Sequence, residues 1–294
     1  MRLLRAGTLR VTDPTETAKR YVEWFNYRVV EEGIIGRDLA CSWDSPRVEG
    51  HRYIVLQPES GTSVYLRLVA GDPVAGYEPL RTYGWAALEI CVSDVLAVER
   101  RLRESPFRII GPPREIDGLP TIYPMQVQGP DQEIVYLTQI RGDLPAYDLP
   151  RAASLVDNIF IMVLACSNLD ASSEWFRRHV LLESGRKMDI VYSMLAKAFA
   201  APPNTLYTIN TLTHERDVFL ELDQYPDTAT TRPGYALDLP AGISLATLIH
   251  PQFDALPGPW IESPRIRSGV IYDGRRSGTL RGLDGTLIEV VSAE

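Results

Sequence analysis

Histidine and cysteine are scarce in this chain, at four and three of 294 residues. The three cysteines show no CxxC spacing, so neither a thiolate zinc site nor a dithiol redox motif is encoded. Cys91 and Cys166 lie in apolar runs, where a free thiol packs as a small hydrophobe. No apolar run reaches the roughly 18 residues of a membrane-spanning helix. Basic residues are in deficit, 30 Lys and Arg against 38 Asp and Glu, for a net charge of −8. That balance argues against binding a nucleic-acid backbone. GxSxG, P-loop, GxGxxG and HExxH patterns are all missing, which leaves serine-nucleophile and nucleotide-phosphate chemistry without support. The first seven residues lack the apolar core of a signal peptide and run into a strand, so the expected location is cytoplasmic, without membrane contact. At 45% hydrophobic and 23% charged residues, a soluble globular protein is expected.

What the chain does have is repetition. Four apolar strands each run into a helix start, at 6–13, 87–94, 161–168 and 244–251. Each is answered later by an apolar strand with a polar or charged residue near its centre, at 64–68, 134–137, 218–222 and 287–291. The first helix start, Asp13-Pro14-Thr15-Glu16, combines a capping Asp, a proline at the first helical position and a Glu three residues after the cap. Asn168 and Phe176 stand in the third unit where Asp13 and Tyr21 stand in the first. The fourth unit has room only for a short helix between Pro251 and Pro257. One such unit is too small to bury a core alone and must pair with another. The expected pairing is sequential: residues 1–145 as one domain and 150–294 as the other, with the Pro-, Asp- and Gly-bearing segment 141–151 as linker.

The stretch Val11-Thr12-Asp13, with Tyr21 and Tyr27-Arg28-Val29-Val30-Glu31-Glu32 after it, resembles the opening of a vicinal-oxygen-chelate module. The stretch from Gly282 to Val290 resembles such a module's closing strand. This superfamily includes glyoxalase I, the extradiol ring-cleaving dioxygenases and the bleomycin-resistance proteins. The resemblance implies an α+β fold of four βαβββ modules paired into two cup-shaped, partly open barrels. It also implies metal ligands, usually His or Gln and Glu, on the first and last strands of paired modules. Counted back from the helix starts, the first-strand positions are Ala6, Ala87, Ile161 and Ser244, none of them His. The last-strand positions are Arg67, Tyr136, Glu221 and Glu289, of which only the last two match the family's Glu. No tightly bound transition metal is expected, and a weak divalent site through Glu221 and Glu289 is left open.

The candidate site is placed in the C-terminal cup. Glu289 and Glu221 sit mid-strand among apolar neighbours, where an inward carboxylate is costly unless paired or protonated. Shared in one cup without metal, they would repel one another and serve as an acid–base pair. Removing one such charge, as in Glu289→Gln, is then expected to preserve the fold. His250 shares the Ser244 strand and is a further catalytic candidate. Ser244, Tyr272, Trp260 and His214 are candidate substrate contacts. Arg67 and Tyr136 are expected to plug the N-terminal cup. Three readings follow. The first is a lyase, isomerase or hydrolase acting on a small apolar or aromatic metabolite. The second is a non-catalytic small-molecule binder of the bleomycin-resistance type. The third is a metal-dependent dioxygenase using His214 or His250 with Glu289. The partner in each is a small molecule, and homo-oligomerisation is left open.

Overall fold

We describe residues 2–116 and 118–294 from a computed structural model. Module 1 comprises β1 (Leu4–Val11), α1 (Pro14–Phe25), β2 (Arg28–Ile34), α2 (Arg37–Ser42), β3 (Arg52–Gln57) and β4 (Tyr65–Ala70). Module 2 comprises β5 (Gly84–Val92), α3 (Val95–Leu102), β6 (Arg108–Gly111), β7 (Ile122–Gln128) and β8 (Ile134–Ile140). Module 3 comprises β9 (Val156–Cys166), α4 (Leu169–His179), β10 (Glu183–Val191), α5 (Ser193–Ala198), β11 (Leu206–His214) and β12 (Asp217–Gln224). Module 4 comprises β13 (Gly242–His250), β14 (Arg265–Ile266), β15 (Arg276–Arg281) and β16 (Leu287–Ser292).

The helix starts repeat one device. Asp13, Asp94 and Asn168 each accept hydrogen bonds from amides in the first turn of their helix, which satisfies donors that the helix cannot. Module 4 keeps only a 3-10 turn, Phe253–Ala255, between its prolines. Residues 269–272 form a turn. Gly269 takes φ +97°, and its carbonyl accepts from the Tyr272 amide.

The eight-stranded sheets do not follow the halves of the chain. One runs β14-β15-β16-β13-β1-β4-β3-β2 and joins modules 1 and 4. The other runs β10-β11-β12-β9-β5-β8-β7-β6 and joins modules 2 and 3. The expected division into 1–145 and 150–294 is therefore corrected: each cup takes one module from each half. Buried charge supplies the reason. Arg67 on β4 and Glu289 on β16 meet only when modules 1 and 4 pair. Sequential pairing would face Glu289 with Glu221 and leave Arg67 facing Tyr136, stranding buried charges of both signs. The segment 141–151 is not an interdomain linker either. Leu144, Tyr147 and Leu149 line the 2–3 cup, and Arg216 holds Asp148 and the Pro145 carbonyl at 2.8 Å each.

Side-chain alternation gives each sheet a concave and a convex face. The convex faces share one apolar core, in which Leu9, Leu68, Ala246 and Val290 of one sheet join Leu88, Ile90, Met162 and Leu164 of the other. The approach is close at Gly7, where a Cβ would stand 2.8 Å from Leu88 and 3.2 Å from Met162. The concave faces form the two cups.

Candidate functional site

Strand register defines four equivalent positions in each cup. In the 1–4 cup, Thr8 pairs with Arg67 and Thr247 with Glu289. In the 2–3 cup, Glu89 pairs with Tyr136 and Val163 with Glu221. The last-strand positions are those expected from the sequence. The first-strand positions are not: Thr8, Glu89, Val163 and Thr247 replace Ala6, Ala87, Ile161 and Ser244. The first strands run two or three residues further before reaching the floor of the cup than the count from the helix starts assumed.

The 1–4 cup is filled by its own side chains. Arg67 and Glu289, each 1% exposed, form an ion pair at 3.0 Å. The guanidinium also donates from Nε to Thr8 Oγ1 (3.0 Å) and from Nη1 to the Tyr272 hydroxyl (2.6 Å). It lies 4.5 Å over the Trp43 ring. Glu289 accepts from Trp43 Nε1 (2.8 Å), Tyr272 OH (2.9 Å) and Thr247 Oγ1 (2.8 Å). Burial alone would raise the Glu289 pKa, but Arg67 and these donors outweigh it and hold the carboxyl below its usual range. Burial disfavours the Arg67 charge, yet Tyr272 and Glu289 reverse that and hold it charged. Apolar groups close over the network, with Ile35, Val69 and Leu245 to one side and Ala6, Val55 and Ile249 to the other. A hollow of about 290 Å³ remains on one side, lined by Glu31, Asp38 and Tyr53 and reaching Arg67 and Tyr272 of the network.

The 2–3 cup is open. Its cavity is about 480 Å³, with walls supplied by Ile122, Phe160, Ile161, Met188, Ile190 and Ile209, among others. Glu89 and Glu221 lie on its floor. Glu89 is 7% exposed and accepts from Thr138 at 2.5 Å. Burial and the neighbouring Glu221 carboxyl push its pKa up to about 8, against the opposing Thr138 bond. Glu221 is raised well above its ordinary value by burial and by Asp223, two residues on along the same strand face. Burial, with Glu89 adding to it, pushes Asp223 up to about 7. Three carboxyls this close and this dry cannot all ionise, so they retain protons at neutral pH. The Tyr136 hydroxyl is bonded to that of Tyr192 at 2.5 Å, and burial keeps the phenol protonated.

The other sequence candidates are dispersed. Glu289 and Glu221 belong to different sheets, so they form no acid–base pair and no single ion can bridge them. Tyr272 belongs to the 1–4 network. Ser244 faces away from Thr247, and its hydroxyl donates to the Pro240 carbonyl at 2.7 Å. His250, fully buried at the end of β13, points to the convex side, where its ring meets His214 at 5.6 Å. Burial, with His214 adding to it, depresses the His250 pKa to about 4. Neither His bonds Glu289, so the metal-site reading built on those residues is not assembled. Trp260 stacks on Phe253 at 5.1 Å. Glu89 was missed, although a lone carboxylate in Ala86-Ala87-Leu88-Glu89-Ile90-Cys91 was a signal for it.

The donor set fits a divalent metal poorly in either cup. In the 1–4 cup a guanidinium stands amid the four positions. In the 2–3 cup Val163 offers no ligand atom and Tyr136 is a protonated phenol. Among the described residues, no group of three or more His, Cys, Asp or Glu side chains is arranged to hold a metal.

The chain matches no family model and no curated protein by sequence. Solved structures do match. Glyoxalase I from Zea mays superposes with a TM-score of 0.63 at 17% identity, over 98% of this chain and 92% of that one. A putative dioxygenase from Bacillus subtilis gives 0.64 at 13% identity, over 98% and 84%. The protein thus has the glyoxalase/dioxygenase fold of the vicinal-oxygen-chelate proteins, in its four-module form. Among the described residues no helix is long and apolar enough to cross a membrane.

Proposed function

We propose that the protein is an enzyme acting by proton transfer on a small, largely apolar molecule held in the 2–3 cup, with Glu89 and Glu221 as the acid–base pair. The observation that carries this reading is the pair itself: two carboxyls with raised pKa values on the floor of an apolar-walled cavity. General acid–base catalysis works best when the pKa lies near the working pH, and Glu89 at about 8 is in that range. The carboxyl of the pair that keeps its proton can donate to a substrate oxygen while the other, once ionised, removes a proton from carbon. Such a division of labour suits an isomerase, a lyase or a hydrolase. No step is routed through a metal, because the four floor positions offer only two carboxylates.

The test starts from a thermal-shift screen of small metabolites. Molecules that raise Tm are then incubated with the protein in D₂O and followed by NMR for turnover or for deuterium uptake at carbon. The expected result is exchange or conversion that disappears in Glu89→Gln and in Glu221→Gln. Ligands that bind without exchange or conversion would make the protein a binder rather than an enzyme.

A further inference from the structure

Comparing the floors of the two cups points to the charge of the ligand. Position by position, the 1–4 cup has Thr8, Arg67, Thr247 and Glu289, and the 2–3 cup has Glu89, Tyr136, Val163 and Glu221. The second set lacks the cation and has one more carboxylate. In the 1–4 cup a guanidinium from the chain lies between the carboxylate and an aromatic ring face. In the 2–3 cup the corresponding space is cavity.

We propose that the 2–3 cup takes an organic cation, a molecule with a compact apolar body and one positively charged nitrogen of the amine, amidine or guanidine class, with that nitrogen seated between Glu89 and Glu221. This rests on the reading of the cavity as the functional site, and it names the class of molecule that the site selects.

The floor carboxyls lack cationic partners among the described residues. Glu89 is nine-tenths buried and bonded only to Thr138, through Oε1, and the Glu221 carboxyl is bonded to that of Asp223, which adds no positive charge. Asp223 Oδ1 is buried without a partner. A neutral apolar ligand would leave these oxygens dry and unsatisfied, which is costly, and an anion would find no cation on the floor to pair with. A charged N–H group answers them with charge-assisted bonds. Tyr136, Tyr147, Tyr192 and Phe160 line the same cavity, and aromatic faces attract organic cations. The charged residues at the exposed mouth are balanced, Arg114 and Arg186 against Glu115 and Asp189, so they do not compensate the floor. A bare metal ion would leave the apolar walls unused and find too few oxygen ligands.

The test uses two molecules of nearly equal shape, benzylguanidinium and benzylurea, titrated into the full-length protein by calorimetry at neutral pH. The expected result is that the cation binds at least about tenfold more tightly, equivalent to about 1.4 kcal/mol. Glu89→Gln and Glu221→Gln, checked for folding by circular dichroism, should each shrink that preference. Equal or tighter binding of benzylurea overturns the proposal, as does failure of benzylguanidinium to bind at millimolar concentration. Stoichiometric Mn²⁺ binding that is lost in Glu221→Gln also overturns it. A preference for benzylurea would leave proton transfer on a neutral substrate intact. A cation that binds without any exchange or conversion would instead sink the enzymatic reading and leave this one standing.

Discussion

The two cups are built on the same strands in the same order, yet they treat buried charge in opposite ways. The 1–4 cup neutralises its carboxylate with an arginine from its own chain and seals the pair with hydroxyls, an indole and apolar cover. The 2–3 cup sets three carboxyls close together and, among the described residues, has its arginines Arg114 and Arg186 at the mouth and none on the floor. One cup is therefore held together by its charges, while the other keeps its carboxyls at a cost in stability. Carboxyls left so exposed to one another are more useful to a ligand than to the fold. A single exchange, Arg67 in one floor for Tyr136 in the other, accounts for most of the difference.

Breaking the sealed cup should have the largest effect. Arg67→Met strands the Glu289 carboxylate and should cost about 3–5 kcal/mol in urea unfolding. The double variant Arg67→Met/Glu289→Met should recover most of that loss, because no buried charge remains. A cost for Arg67→Met below about 1 kcal/mol would mean the network does not hold the cup.

Glu289→Gln should cost about 3 kcal/mol by the same measurement, since it leaves the guanidinium without its counter-charge. This reverses the expectation from sequence that the substitution preserves the fold. That expectation assumed an unpaired carboxylate, and the structure pairs it.

The pH dependence of stability should carry opposite signs in the two cups. Glu289 has a folded pKa below its unfolded value, so its contribution is present above about pH 4.5 and is lost as the pH falls through the folded value. Glu89 has a folded pKa of about 8, above its unfolded value. Its effect is full at low pH, and stability falls as the pH rises toward 8. Relative to wild type, Glu89→Gln should flatten that fall by on the order of 2 kcal/mol between pH 5 and 9 in chemical denaturation. An unchanged slope would place Glu89 in contact with water. Glu133, also pushed up to about 8 by burial, contributes a slope of the same sign that both proteins share.

The smallest effect concerns the packing that carries both cups. Gly7→Ala pushes a methyl group against Leu88 and Met162 where the sheets meet, and should cost about 1 kcal/mol in Tm-based stability. A neutral result would show that the two sheets slide apart freely there.

Much of the fold was legible because local chemistry repeats. Asp13, Asp94 and Asn168 mark helix starts by capping, and mid-strand polar residues mark the closing strands. Arg67, Tyr136, Glu221 and Glu289 were recognisable for that reason. The pairing of modules was not legible, because alternation tells which face of a strand is buried but not which strand lies beside it. Only the demand of Arg67 for a carboxylate separates the two arrangements, and that demand is invisible until registers are known. Thr8 and Thr247 were missed because threonine is an ordinary strand residue. Trp43 follows a short helix outside the repeated strands, so the repeat alone does not tie it to Glu289. Glu89 was missed by two residues on the correct face, since Ala87 and Glu89 both point into the cup. The expected C-terminal cup therefore joined Glu289 of the 1–4 cup to Glu221 of the 2–3 cup, while the carboxyl that shares the floor with Glu221, Glu89, lies on a strand from the other half of the chain.

The difference between the cups can be read directly by carboxyl ¹³C NMR of protein labelled at glutamate, titrated from pH 3 to 10. Glu89→Gln, Glu221→Gln and Glu289→Gln assign the signals. The expected result is a Glu89 resonance titrating near pH 8 and a Glu289 resonance titrating below the usual range of a glutamate. A Glu89 carboxyl that titrates like a solvated glutamate, with Glu289 shifted upward instead, would contradict the assignment of the 2–3 cup as the open, functional one.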